Sequence, residues 1–190
     1  MNTPSHSILN LAILGRGHLN QCGWPIVIGS WLPDAAMFVF YGWAKGVGLP
    51  DATIWQKTYY LPFWQNIFAV GNSIPLALLG LGIFLRLQRP GGIALFASML
   101  LHHLEDLPLH HEDAHQHFWP LSSYRFVSPV SYWDPQHWGT YGALLELGLV
   151  LLATISLLRR MRSRWGKGLL ILVNLLYVAG YWRFYLHTSS

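Results

Sequence analysis

The chain has 190 residues, the length of one domain or at most two small ones. Hydrophobic residues make up 53% and charged residues 11%, against about 25% charged in an ordinary soluble protein; this excludes a soluble globular domain and a disordered chain alike. The lone Cys22 excludes an internal disulfide framework, and the cations behind the net charge of +4 lie mostly in turns between apolar runs, not in a nucleic-acid-binding patch.

In chain order, a weak apolar run at 7–14 follows Thr3-Pro4-Ser5-His6 and is too short to cross a bilayer alone, since a span takes about 20 mostly apolar residues. The run 24–47 is interrupted by Pro33 and Asp34. A third lies within 63–87, a short fourth covers 91–104, the clearest covers 141–158, and 168–186 is nearly as clear. Arg89-Pro90-Gly91-Gly92 and Trp165-Gly166 are turn signals. This pattern predicts an all-α, multi-pass integral membrane bundle with about five or six transmembrane helices, a single membrane domain over 1–190 whose partner is the lipid bilayer. No cleavable signal peptide is expected, because the segment before Ile8 lacks basic residues. Nothing in the pattern sets an oligomeric state.

Charge placement predicts orientation. Seven of the 12 Lys and Arg sit in two short turns: Arg86 and Arg89, then Arg159, Arg160, Arg162, Arg164 and Lys167. Short basic loops stay cytoplasmic. The segment 105–140 is then expected on the non-cytoplasmic side, together with most of the acidic residues (Asp51, Glu105, Asp106, Glu112, Asp113 and Asp134). If 7–14 crosses the membrane, His6 starts on that same side; if it is a surface helix, His6 is cytoplasmic and cannot meet the segment.

Residues 102–117 read HHLEDLPLHHEDAHQH. His102 and Asp106 are four apart, as are His111 and His115, and on a helix such pairs share a face and can grip one ion. Pro108 is expected to break the helix between them. Imidazole with carboxylate suits zinc, manganese or ferrous iron. The competing reading is a solvated cluster of titrating histidines. Asp34, after Leu32-Pro33 in an apolar run, is either a site residue or the cap of a helix starting at Ala35 after Pro33 ends the previous one. Glu146 either faces the site or pairs with Arg183.

Together these features resemble the YdjM-like family of integral membrane proteins, which are held to be metal-dependent hydrolases. The resemblance rests on four motifs in order: Thr3-Pro4-Ser5-His6; Gly29-Ser30-Trp31-Leu32-Pro33-Asp34; Leu100-Leu101-His102-His103-Leu104-Glu105-Asp106; and Trp119-Pro120-Leu121-Ser122-Ser123-Tyr124-Arg125-Phe126. It covers roughly residues 1–126. The family's His-rich H-R-x-x-T-H-S block is missing: Asn72 and Ser73 stand in its place, with no His between His18 and His102. Either His110, His111, His115 and His117 replace that block, or this branch has lost the chemistry. Residues 126–139, with Ser128, Ser131, Asp134 and His137, look like an addition specific to this branch.

The resemblance implies a membrane-bound metal-dependent hydrolase acting at the interface on a lipid or other amphiphile. Expected metal ligands are His6, Asp34, His102, Asp106, His111, Asp113 and His115, with zinc favoured over manganese or iron. Glu105 or Glu112 would act as general base, and Arg125 would stabilise developing negative charge. The alternative is a non-enzymatic metal-binding membrane protein: a sensor, a delivery factor or an assembly factor. A di-iron oxygenase would need several His boxes, and neither a Gly-x-Ser-x-Gly elbow nor a phosphate loop is present.

Overall fold

In the computed structural model, which describes residues 1–186, the chain is all-helical, with no strand among the described residues. Among the described residues eight α-helices follow one another: α1 Thr3–Leu14, α2 Leu19–Gly46, the short α3 Asp51–Thr53, α4 Pro62–Gly71, α5 Ile74–Arg86, α6 Pro90–Asp106, α7 Gly139–Arg160 and α8 Arg164–Tyr181. Four stretches among the described residues are long and apolar enough to cross a membrane: Leu19–Gly46, Pro62–Arg86, Gly139–Arg160 and Arg164–Leu186. Their outward faces carry large apolar side chains such as Trp24, Leu152 and Leu176, as expected for a surface that meets lipid rather than water.

The short helix α1 is unlike the others. Its buried residues include five polar ones, Thr3, Ser5, His6, Ser7 and Asn10, beside the apolar Ile8, Leu9 and Ala12. With 12 residues it is about 18 Å long, against a hydrocarbon core of about 30 Å. It packs antiparallel to α2 and against α6 and α7. Small polar groups stitch this core. Ser7 Oγ lies 2.7 Å from Ser30 Oγ, Asn10 Nδ2 donates to the Ser98 carbonyl at 2.9 Å, and Ser98 Oγ donates to the Ile26 carbonyl at 2.6 Å. Such bonds between helices replace the water that the bilayer cannot supply. Gly29 allows the closest approach, because a Cβ there would run into the Leu95 carbonyl and Ser98 of α6.

Pro33 does not end a helix. α2 runs unbroken through both Pro25 and Pro33, so Asp34 caps nothing and its carboxylate is available to neighbours. The 63–87 run is instead broken, between α4 and α5, where Ser73 Oγ accepts from the Leu76 N–H. Pro108 falls where expected, with α6 ending at Asp106 before a 3₁₀ turn at Leu107–Leu109. The stretch from there to α7 is irregular and folds over the end of the bundle where α1 begins and α6 finishes. Both basic turns lie at the other end, where Cys22 Sγ approaches the Pro90 carbonyl and Arg160 donates to the Ala12 carbonyl.

Candidate metal centre

Three helices meet at Asp106. The last turn of α6 brings its carboxylate under the first turns of α1, beside the middle of α2. His6 Nε2 is 3.1 Å from Asp106 Oδ1, and His102 Nε2 is 3.2 Å from Oδ2 and 3.6 Å from Asp34 Oδ1. Two donor atoms bound at about 2.0–2.1 Å to one tetrahedral ion sit roughly 3.4 Å apart, so these separations are those of a ligand set. His6, His102 and Asp106 are all buried and each offers an atom to one point. The His6 and His102 rings stack with centroids 3.8 Å apart. The Met1 amine also donates to Asp106 Oδ1, at 2.5 Å.

The outer nitrogens are tied down. His102 Nδ1 lies 2.9 Å from the Ser30 carbonyl. A carbonyl only accepts, so Nδ1 carries the hydrogen, and in the neutral ring Nε2 presents a lone pair. His6 Nδ1 is held by Glu105 Oε2 at 2.6 Å, and His110 Nδ1 by Asp113 Oδ2 at 2.8 Å. His110 Nε2 then faces Asp106 Oδ2 at 3.4 Å. Three Nε2 atoms therefore converge on one carboxylate, and none of the three has a hydrogen-bond partner. Lone pairs facing carboxylate oxygens in a dry interior repel one another unless a cation, either protons or a metal ion, stands between them. The tied Nδ1 atoms are the arrangement by which metal-binding imidazoles are oriented, so the residues present fit a divalent ion.

The electrostatics of the overlying segment divide its imidazoles into two kinds. Burial opposes charge on His110, but Asp106 and Asp113 outweigh it and raise its pKa to about 9. Burial and the neighbouring His110 and His117 push His115 down; burial also lowers His117, whose Nδ1 is 3.2 Å from the Asn72 carbonyl. Neutral imidazoles are the forms that bind metals, so His115 and His117 are in the binding form, whereas His110 holds a proton that an ion would have to displace.

The structure thus brings together His6, Asp34, His102 and Asp106 of the expected ligands, with Asp113 behind His110 and with His115 beside it at a ring distance of 4.8 Å. It does not bring in His111, whose Nδ1 faces the Ser128 carbonyl and whose ring stacks on His137 at 3.7 Å. Glu105 sits behind His6. Glu112 is exposed, in a separate group with Asp134 and His137. There Asp134 is already engaged by the Gln136 N–H and by His137, which holds its carboxyl below the usual range. Arg125 is taken up by the Ala114 carbonyl and Gln65 Oε1. Glu146 receives the Asn2 N–H, the Asn2 amide and Ser5 Oγ, and so anchors the first turn of α1 rather than pairing with Arg183.

Sequence reasoning passed over His110 as a direct neighbour of Asp106, and Thr3, whose Oγ1 donates to Asp34 Oδ2 at 2.5 Å. The i, i+3 spacing of His110 and Asp113 was the available signal. The position of the missing family block is also informative. The Ile74 N–H donates to the His117 carbonyl at 2.9 Å, so the His-rich segment rests directly on the 72–74 corner. Against known proteins, the chain matches no family model, no curated protein and no solved structure.

Proposed function

We propose that this protein is a membrane-bound metal-dependent hydrolase whose ion is held by His6, His102, Asp106 and Asp34. The observation that carries this reading is the convergence of two imidazole Nε2 atoms from α1 and α6 on the Asp106 carboxylate, each with its Nδ1 tied from behind. Zinc is the favoured ion, with manganese or iron next, since the donors are nitrogen and oxygen without thiolate. The bundle has five or six spans when α1 and α6 are counted with the long helices, and the His-rich segment faces the non-cytoplasmic side.

A bound ion would supply a water acidified toward neutral pH and a Lewis acid for a phosphoryl or acyl oxygen. The chain's own residues do the rest. Asp34 and Glu105 are the partly open edge of the cluster, with side chains 17% and 12% exposed, while His6 and His102 are fully covered. Substrate therefore enters at that edge. Glu105, bonded through Oε2 to His6 Nδ1, would hold that ring from behind and keep its Nε2 aimed at the ion. The helices around the site face lipid, which favours an amphiphilic substrate.

One observation favours the non-enzymatic alternative: Asp106 and both imidazoles are almost wholly covered, as in a site that stores or senses an ion. Elemental mass spectrometry of the detergent-purified protein tests the metal, and a screen of lipid phosphoesters and acyl esters tests the activity. Stoichiometric metal that falls in His6→Ala and His102→Ala, with metal-dependent hydrolysis, is the expected result. Metal without turnover on any ester leaves the sensor or delivery reading, and no metal after reconstitution overturns both.

A further inference from the structure

Among the described carboxylates whose side chains are covered, Glu105, Asp106 and Asp113 each lie against an imidazole. Glu146 of α7, only 4% exposed, meets neither a histidine nor a cation among the described residues. Its Oε1 accepts from the Asn2 N–H, the Asn2 amide and Ser5 Oγ, and its Oε2 has no partner. A buried carboxylate left in this way is costly unless a positive charge comes to it. Glu146 lines a cavity of about 680 Å³ between α7 and α8, bounded also by the first turn of α1 and by Tyr132 and Trp133 of the overlying segment. Nearer the basic turn the two helices are tied together by Asn174 Nδ2, which donates to Thr154 Oγ1 at 2.8 Å.

The rest of the wall is aromatic and aliphatic. Tyr132, Trp133, Tyr177, Tyr181 and Tyr185 contribute rings, and the helices add aliphatic side chains such as Leu176. Several rings are fixed by their neighbours. Tyr181 and Tyr185 have centroids 5.4 Å apart, the Tyr185 hydroxyl donates to the Tyr132 carbonyl at 3.2 Å, and the Tyr177 hydroxyl lies 2.9 Å from Ser5 Oγ. Ser5 gives its one hydrogen to Glu146, so the Tyr177 hydroxyl donates to Ser5. Aromatic π-systems attract cations, and an aromatic wall beside a carboxylate selects ammonium and quaternary ammonium groups. A cavity of this size takes a drug-sized molecule, which in this setting is one chain with a small head. We propose that it binds an amphiphile with an ammonium head, the head against Glu146 and the chain along the aliphatic side chains of α7 and α8. Glu146 is not among the groups that face Asp106, so binding is expected with or without a metal ion.

The test is a calorimetric titration of hexyltrimethylammonium into the full chain in maltoside detergent, with hexyl sulfate and hexanol as controls. Saturable binding of the cation at a single site, and none of the sulfate, is expected for the wild type, metal-free and zinc-loaded alike. Equal uptake of all three probes, or uptake that does not saturate, overturns the proposal without recourse to any variant. Glu146→Gln keeps the shape and the acceptor oxygen but removes the charge, and is expected to weaken binding roughly tenfold or more. Unchanged affinity in that variant overturns the ammonium assignment. Gly180 lines the cavity, and a Cβ there meets nothing within 4 Å, so Gly180→Leu puts a side chain into open space and is expected to abolish binding. Cation binding that survives Gly180→Leu overturns the cavity as its location.

Discussion

His6, His102 and His110 are handled alike: Nδ1 is fixed by an acceptor and Nε2 is turned toward Asp106. The acceptors are therefore as consequential as the ligands. Changing Glu105→Gln leaves His6 in place but weakens its orientation, and losing such a backing group lowers metal affinity about 10- to 100-fold; a competitive chelator titration reads this directly. His111→Ala, by contrast, removes a ring that stacks on His137 and leaves the metal content unchanged, whereas His102→Ala abolishes it. The His102 and Asp106 pair was legible because four-residue spacing on a continuous helix fixes geometry. The His111 and His115 pair has the same spacing but lies past Pro108, where no helix exists to enforce it. His6 could be placed only by resemblance, since nothing local in the first six residues says that they will meet residue 106.

At the scale of elements, α2 teaches most. A proline followed by an aspartate reads as a helix break with a new cap, and in water it often is one. Here the helix continues through both prolines, and the Ser30 carbonyl, in the turn before Pro33, is met by His102 Nδ1 from α6. Continuity leaves Asp34 free for Thr3 and His102. The arrangement depends on α2 and α6 lying close at Gly29. Gly29→Leu forces a side chain into the α6 backbone, with a cost of about 1–3 kcal/mol or more. A lowered melting temperature in detergent, together with weakened metal binding, checks it; an unchanged melting curve would count against so close a contact. The 63–87 run failed to read as two helices for the opposite reason: hydropathy is continuous across Asn72 and Ser73, and the break there is made by a local hydrogen bond.

For the whole molecule, the apolar runs were legible because a bilayer imposes a length and a composition that no other solvent does. The lid over the site was not, because residues 107–138 follow no period and are positioned by single contacts such as the Ser128 N–H on the His110 carbonyl and the Tyr132 N–H on the Leu109 carbonyl. The two basic turns and the His-rich lid lie at opposite ends of the bundle, which makes orientation testable with exposed positions. Ser123→Cys is expected to react with a membrane-impermeant maleimide in intact cells, and Ser163→Cys only after lysis. The native Cys22 is buried and stays silent. The reverse pattern would invert the proposed orientation.

The first turn of α1 supplies His6, while Glu105, which holds it, lies 99 residues further along the chain. A ribosome adding roughly 5–20 residues per second needs about 5–20 s to make the second half of the site after the first. Throughout that interval α1, with its five polar residues, has neither α6 nor α7 to pack against and is a poor guest for the bilayer. It can complete its packing only after α6 and α7 have been made, so an ion held by His6 and His102, as proposed, would load at the end of biogenesis rather than nucleate folding.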